Sequence, residues 1–485
     1  MEASTSPKDA AARAKPVLCV DMDGTLLATD SAWELTLSLI KRAPLTALLL
    51  PLWLLQGRAA FKQRLAQLST LDVARLPFRS EVLSLLRQER ARQRRLVLTT
   101  GADQTIAREI ASHVGLFDEV LASDGKYNLS GEAKARRLCQ QFGAHGFDYI
   151  GNSFADLHVW RYAGEALVVA PAPGLLRMAR RANIKKITQI FPATSGRRIR
   201  DLLATVRAYQ WVKNLLIFVP LVLAHDVGQL GLWLKAFAAF FSFSMSASAG
   251  YALNDLLDLD SDRVHPVRRH RPLASARVSI RVVGLLVLVL AVAGLLAAAL
   301  FLPVRFLALL LAYLIATAAY SIYLKRLALV DVFLLAGLYT LRILAGGVAV
   351  SVPISRWLAA FSMFFFLSLA FAKRFSELKE SGSGESLGRG YLGVDLSFLQ
   401  SVGAASGYLA ALVMAFYVDS PEVIRLYGHP RWLWLVCPLL LYWVSRLWLF
   451  AQRGALQEDP LIFALKDGAS YVVAVCLLAV IWLAL

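Results

Sequence analysis

The segment Asn254-Asp255-Leu256-Leu257-Asp258-Leu259-Asp260-Ser261-Asp262-Arg263 places several carboxylates at the end of a long apolar run. Carboxylates beside hydrocarbon are costly unless they hold a cation, so the segment points to metal-dependent chemistry at a membrane surface. On a helix, Asp255, Asp258 and Asp262 fall at i, i+3 and i+7 and Asn254 lies four positions before Asp258, so their oxygens share one face while Asp260 points elsewhere. Mg²⁺ would take these oxygens as ligands and keep places for phosphate oxygens, which makes a diphosphate the expected guest. The bases that follow, Arg263, His265, Arg268, Arg269, His270 and Arg271, suit an anionic substrate better than a solvated helix end.

A second set of chemical residues lies near the start of the chain. Pro16-Val17-Leu18-Cys19-Val20 reads as a buried strand that ends at Asp21-Met22-Asp23-Gly24-Thr25-Leu26. Leu96-Val97-Leu98-Thr99-Thr100-Gly101 reads as another strand with a hydroxyl at its tip, and Lys134 precedes a helical stretch. A third strand and loop are expected at Tyr149-Ile150-Gly151-Asn152-Ser153-Phe154-Ala155-Asp156. Strands alternating with helices and carrying polar residues at their ends predict a doubly wound, Rossmann-like α/β domain with its site at the carboxyl edge of the sheet.

These four ordered motifs resemble the haloacid dehalogenase superfamily of phosphatases over about residues 16–172. The resemblance implies that Asp21 is the nucleophile and that Asp23 protonates the leaving oxygen and then activates water. It also implies that Thr100 holds the phosphoryl group, that Lys134 neutralises charge, and that Mg²⁺ rests on Asp21, the Met22 carbonyl and Asp156, with Asp23 a less direct neighbour. The chain departs from the commonest pattern at Asn152, where an acid is more usual; its amide still offers one oxygen ligand. A helical cap is expected at about 30–92. Within it, Ala43 to Leu55 is an apolar run bounded by Lys41-Arg42 and Arg58, too short to cross a bilayer. It reads either as an interfacial helix or as a buried cap helix.

Composition sets the frame for both groups. The 485 residues are 57% hydrophobic, and apolar segments dominate beyond about residue 200, so a soluble domain is followed by a membrane domain. Lys and Arg number 52 against 34 Asp and Glu, a net charge of +18 that fits an anionic membrane surface and phosphate ligands. No aromatic-interleaved basic fold suggests nucleic acid. Residues 1–15 read as a flexible N-terminus without the apolar core of a signal peptide. Residues 173–207 read as a basic interfacial linker carrying Arg177, Arg180, Arg181, Lys185, Lys186, Arg197, Arg198 and Arg200. Residues 208–485 read as an all-α, polytopic membrane domain of about nine helices. The loops holding Arg263 to Arg281, Lys325-Arg326 and Lys373-Arg374-Lys379 carry the bases, so both sites are expected on the cytosolic side of the inner membrane. The four cysteines show no metal-ligand spacing and read as buried free thiols.

The Asn-Asp motif, Tyr320-Ser321-Ile322-Tyr323-Leu324-Lys325-Arg326 and the helix layout resemble the UbiA superfamily of intramembrane prenyltransferases. Gln210-Trp211-Val212-Lys213-Asn214, the Asp262 to Pro272 tract, Asp331 through Gly346 and Ala372-Lys373-Arg374-Phe375 resemble its decaprenyl-phosphate phosphoribosyltransferase branch. That branch implies transfer of 5-phosphoribose from phosphoribosyl diphosphate to a polyprenyl phosphate.

Mg²⁺ on Asn254, Asp255, Asp258 and Asp262 is then expected to clamp the diphosphate, with Lys325 and Arg342 stabilising its departing charge. Lys213 or Lys373 would position the lipid phosphate, and Asn214, Arg268, Arg271, Tyr320, Arg326, Asp331 and Arg374 complete the expected substrate contacts. An aromatic prenyltransferase would instead want a second carboxylate pair, and Asp331 has no acidic neighbour three or four residues away. A transporter or scaffold would bind ions without turnover. Homo-oligomerisation is left open by the sequence. With both domains on one chain, the N-terminal domain is expected to remove the 5-phosphate from the lipid product.

Overall fold

The computed structural model describes residues 15–182, 184, 186–191, 198–224, 228–380, 390–456 and 459–485. The expected flexible N-terminus, apart from Lys15, lies outside these residues, as do Lys185 and Arg197. The chain forms two compact units, Met1–Thr205 with Asp255–Gly284, and Val206–Asn254 with Leu285–Leu485.

In the first unit a parallel sheet runs in the order β3-β2-β1-β4-β5-β6. Its strands are β1 (Val17–Val20), β2 (Leu96–Asp103), β3 (Glu119–Ser123), β4 (Phe147–Gly151), β5 (Ala166–Val169) and β6 (Ile187–Phe191). Central strands covered on both faces read as continuous apolar runs, because alternate side chains enter opposite cores. Leu18, Val20, Leu96 and Leu98 join one core, and Cys19, Val97, Phe147 and Tyr149 the other. The sixth strand comes from the basic stretch expected to be a linker.

The cap leaves the sheet after β1 and contains α1 (Ser31–Arg42), the short helices Pro44–Ala47 and Leu50–Leu55, and α2 (Arg58–Leu68). Asp30 starts α1 by accepting from the Ala32 and Trp33 amides. After β3, helix α3 (Glu132–Phe142) brings Lys134 to the sheet edge.

The second unit is helical: α4 (Leu230–Leu257), α5 (Ile280–Phe301), α6 (Val304–Ile322), α7 (Val330–Val350), α8 (Arg356–Glu380), α9 (Leu396–Val418) and α10 (Val436–Gln452), of which the ends of α4 and α5 fall in the first unit. Among the described residues, seven helices are long and apolar enough to cross a membrane, or nine when two bent helix pairs each count as one span. The chain is therefore a multi-pass membrane protein. Small residues permit close approach: a Cβ at Gly346 of α7 would strike the backbone of Ile217, so the segment Ala208–Phe218 lies directly on α7.

Candidate functional sites at the sheet edge and in the membrane unit

Asp21 follows β1 at the carboxyl edge of the sheet and is buried. The Lys134 Nζ donates to its Oδ1 at 2.7 Å, to the Tyr149 hydroxyl at 2.9 Å and to the Thr99 carbonyl at 3.2 Å. Burial pushes the Asp21 carboxyl up to about 6 despite that lysine. Asp23 accepts from the amide and hydroxyl of Ser31 at 2.8 and 3.2 Å. Burial, with Asp30 and then Asp21 adding repulsion, raises Asp23 to about 7. Both carboxyls are thus raised by burial, and Asp21 alone of the two has a lysine on it, which favours its ionised form. Gly24 adopts a positive φ of 77°, which a side chain rarely tolerates, and its missing Cβ leaves room for the Asn152 amide. Thr100 is fully buried and its hydroxyl accepts from the Ala102 amide at 3.0 Å. The neighbouring Thr99 hydroxyl is buried without a hydrogen-bond partner.

Asp156 is turned inward. Its Oδ2 accepts from the Asn152 amide, the Ser153 amide and the Ser153 hydroxyl, and its Oδ1 from the Tyr149 hydroxyl. Four donors leave it organising the loop, whereas the Asn152 side chain lies against the Asp21 to Gly24 turn. Among the described residues no three acidic, histidine or cysteine side chains converge closely enough to hold a metal alone. Mg²⁺ characteristically uses one or two carboxylates and completes its shell with water and phosphate, so Asp21, the Met22 carbonyl and the Asn152 amide still fit it.

The acidic segment breaks its helix where α4 ends at Leu257, and a short helix, Leu259–Val264, follows. Asp255 and Asp262 are buried and converge on one guanidinium: Arg271 donates to Asp255 at 3.1 Å and to Asp262 at 2.6 Å. Arg268 stands 3.9 Å from the other Asp262 oxygen, a buried atom without a hydrogen-bond partner. Two carboxylates sharing one cation, with one oxygen orphaned, fit a divalent ion that keeps places for phosphate. Asp258 is half-buried, and exposed Asp260 points away as expected, pairing with Lys41 at 2.8 Å. Arg263 forms a buried pair with Glu34 of α1 at 2.6 Å.

Inside the membrane unit the Arg342 Nε donates to Asn214 at 2.9 Å, its Nη2 to the Tyr313 hydroxyl at 3.2 Å, and its Nη1 to the Leu338 carbonyl at 2.5 Å. The adjacent Lys213 pairs with Asp459 at 2.6 Å, and Lys373 approaches the same carboxylate at 3.5 Å. Tyr339 joins the groups, with Lys213 and Arg342 5.5 and 5.3 Å from its ring centroid and its hydroxyl donating to Asp459 at 3.2 Å. The Lys325 Nζ donates to the Asn254 Oδ1 at 3.2 Å. Lys213, Asn214, Arg342 and Lys373 therefore stand together.

Two expected substrate contacts lie elsewhere. Arg374 and Asp331 are fully buried, paired at 2.6 Å, with Arg374 also on Glu377 and Asp331 accepting from the Tyr391 hydroxyl at 2.6 Å. Arg374 and Asp331 offset each other's charge at zero exposure, because an unpaired charge at that depth would be prohibitive, although the facing Arg374 Nη2 and Asp331 Oδ2 lack hydrogen-bond geometry. Tyr320 is half-buried on α6, and Arg326 is exposed on the turn Leu324–Arg326. Of the cysteines, only Cys19 is buried and Cys476 is exposed.

Two polar residues escaped the sequence reading. Lys62 of α2 donates to the Gly101 carbonyl at 2.5 Å, and its charge interacts with Asp23 and Asp30. Its only sequence signal is a base one turn after Arg58. Asp459 caps the helix Pro460–Lys466, so an Asp-Pro step before an apolar run could have flagged it as a cap, though not as a lysine partner.

The sequence model described as the UbiA prenyltransferase family matches residues 215–466, and that of haloacid dehalogenase-like hydrolases matches residues 18–161. The chain is 38% identical to an uncharacterized protein, y4nM, of Sinorhizobium fredii over 95% of this chain and 89% of that one. It is 35% identical to the nodulation protein NoeC of Azorhizobium caulinodans over 55% of this chain and 87% of the relative. With decaprenyl-phosphate phosphoribosyltransferase of Mycobacterium tuberculosis the identity is 29% over 59% of this chain and 93% of that protein. The chain belongs to the UbiA prenyltransferase family and carries a haloacid dehalogenase-like domain ahead of its membrane helices.

Proposed function

We propose that the membrane unit transfers 5-phosphoribose from phosphoribosyl diphosphate to a polyprenyl phosphate, and that the N-terminal domain removes the 5-phosphate from the product. The observation that carries the first half is the charge balance of the membrane unit. Lys213 and Lys373 share one carboxylate, Asp459, and Arg342 stands beside them on Asn214 and the Tyr339 ring, while Asp331, the acid where a second diphosphate clamp would be sought, is taken by Arg374. Such a surplus suits a sugar phosphate diphosphate meeting a lipid phosphate better than an uncharged aromatic acceptor.

Mg²⁺, held by Asn254, Asp255, Asp258 and Asp262 together with diphosphate oxygens, would offset the charge of the leaving group. The ribose C1–O bond to diphosphate breaks, and a lipid phosphate oxygen forms the new bond to C1. Lys325, already on Asn254, and Arg342 would offset the departing charge, and Lys213 would exchange Asp459 for the lipid phosphate. The lipid phosphate is largely dianionic near neutral pH, its second pKa being about 6, so no strong base is required.

In the N-terminal domain the Asp21 carboxylate attacks phosphorus and Asp23 gives its proton to the departing ribose oxygen. Asp23 then takes a proton from the water that hydrolyses the aspartyl-phosphate. Lys134 holds Asp21 in place throughout. Mg²⁺ would be held there by Asp21, the Met22 carbonyl and Asn152, with Asp156 bracing the loop that carries Asn152. We assign both sites to the cytosolic face of the inner membrane, a placement supported by the basic loops at Arg263 to Arg281 and Lys325-Arg326.

The test is incubation of the purified protein with labelled phosphoribosyl diphosphate and polyprenyl phosphate, beside a prenyl diphosphate and an aromatic acceptor. Ribosylated lipid is expected from the first pair only, with one phosphate fewer than in the Asp21→Asn variant. Turnover of the second pair alone would establish aromatic prenyl transfer instead.

A further inference from the structure

Between α1 and α2 the cap presents a ridge of leucines left uncovered by the described residues. Leu45, Leu48 and Leu55 are 80%, 75% and 83% exposed, and Leu49, Leu52 and Leu54 are exposed beside them. Trp53, from the same turns, is buried in the cap core, so the segment is fixed on one side and bare on the other. This decides between the two sequence readings of Ala43 to Leu55: the run is not a buried cap helix. An apolar patch of this density on an ordered domain marks an interaction surface.

Charge identifies the occupant. No carboxylate occurs from residue 35 to residue 71, whereas Lys41, Arg42, Arg58, Lys62 and Arg64 do. Arg42 and Arg58, at the two ends of the ridge, are exposed. Lys41 is held by Asp260 and Lys62 by the Gly101 carbonyl, which leaves exposed Arg42 and Arg58 flanking the leucines; this pattern matches an anionic phospholipid leaflet, with apolar side chains entering the acyl boundary and the two guanidinium groups meeting phosphates. The rest of the chain already spans a membrane.

We infer that this ridge docks the cap into the anionic leaflet, making the N-terminal domain an interfacial phosphatase whose substrates are lipid-anchored phosphomonoesters; the substrate class rests on the phosphatase reading above. Helix α2 leaves the ridge at Arg58 and one turn later delivers Lys62 to the Gly101 carbonyl beside the catalytic strand β2. One cap element thus links the lipid surface to the mouth of the Asp21 site.

The test uses the full chain in nanodiscs containing radiolabelled phosphatidylglycerol, with a benzophenone amino acid at position 48 or 55, and at exposed Tyr162 as control. Labelled lipid adducts are expected at 48 and 55 and not at 162. Absence of lipid adducts at both positions, or crosslinks to a second copy of the chain in their place, overturns the docking surface.

In a second arm, Leu45, Leu48, Leu52 and Leu55 are all changed to Gln. Hydrolysis of a polyprenyl-linked phosphomonoester should fall tenfold or more while that of p-nitrophenyl phosphate stays within twofold. Equal rates for variant and parent on the lipid substrate refute the interfacial role. Lipid adducts from a protein that hydrolyses neither substrate leave the surface standing and refute the phosphatase reading instead.

Discussion

Replacing Asp331 by Asn keeps the shape of the side chain and its bond from Tyr391, but leaves Arg374 buried with one carboxylate fewer. Breaking a fully buried pair costs about 3–5 kcal/mol, because the surviving charge lacks both water and partner. Arg374 retains Glu377, which is partly exposed, so the lower end, about 3 kcal/mol, applies. For a domain of this size that corresponds to a fall in Tm of about 6–12 °C. The assay is thermal denaturation of the detergent-solubilised full chain, read as loss of the monodisperse peak on size exclusion. The variant's KM for phosphoribosyl diphosphate is measured alongside it. Arg374→Met should be destabilising alone, and combining it with Asp331→Asn should recover more than half of the summed loss, since neither charge then remains stranded. A Tm within about 1 °C of the parent, together with a tenfold rise in KM, would refute the burial argument and return the pair to the substrate site.

In the N-terminal domain, Asp23 holds its proton to about pH 7, well above an ordinary carboxyl, so protonated donor is lost as pH rises. Hydrolysis of an alkyl phosphomonoester should therefore fall about tenfold per unit above that point. Asp30→Asn removes one cause of the elevation and should move the limb to lower pH; an unchanged limb counts against Asp23 as the donor. Lys62→Met should raise KM for the phosphomonoester about tenfold by deleting a cation at the site, and an unaltered KM would show that Lys62 only braces Gly101. Asp255→Asn with Asp258→Asn should reduce ribosyl transfer more than about a hundredfold and leave p-nitrophenyl phosphate hydrolysis within about twofold; equal loss of both activities would mean that the segment serves folding. Lys213→Met should raise KM for polyprenyl phosphate about tenfold with little change for the sugar donor, which initial rates over both substrates would resolve.

The strand-loop motifs were readable because each is local. Val17 to Val20 is a short apolar run ending in a polar turn, and its spacing alone puts Asp21 at the sheet edge. The membrane helices were readable for the same reason, since length and hydropathy belong to single segments. Contacts between distant segments were not. Lys213 meets a carboxylate 246 positions away, and Lys62 reaches Gly101 across 39. Periodicity gives a helix face, not the partner that will cover it. Arg374 and Asp331 misled because a charge in an apolar helix looks the same in sequence whether it serves a ligand or another side chain. The i, i+3, i+7 reading of the acidic segment assumed one continuous helix, whereas the helix breaks at Asp258 and Asp255 and Asp262 converge on Arg271 across the break.

The pair between Glu34 and Arg263 bears on how this chain can be divided. Both side chains are nearly excluded from water, and each supplies the other's countercharge. A protein shortened to begin after residue 205 would keep Arg263 next to the acidic segment and lose its carboxylate. Arg263 falls within the stretch matched to the UbiA family, yet this buried contact makes its acidic segment a dependant of the N-terminal helix that carries Glu34. Domain exchange among relatives would therefore have to carry position 263 along with residues 1–205, and a transferase standing alone needs another residue there.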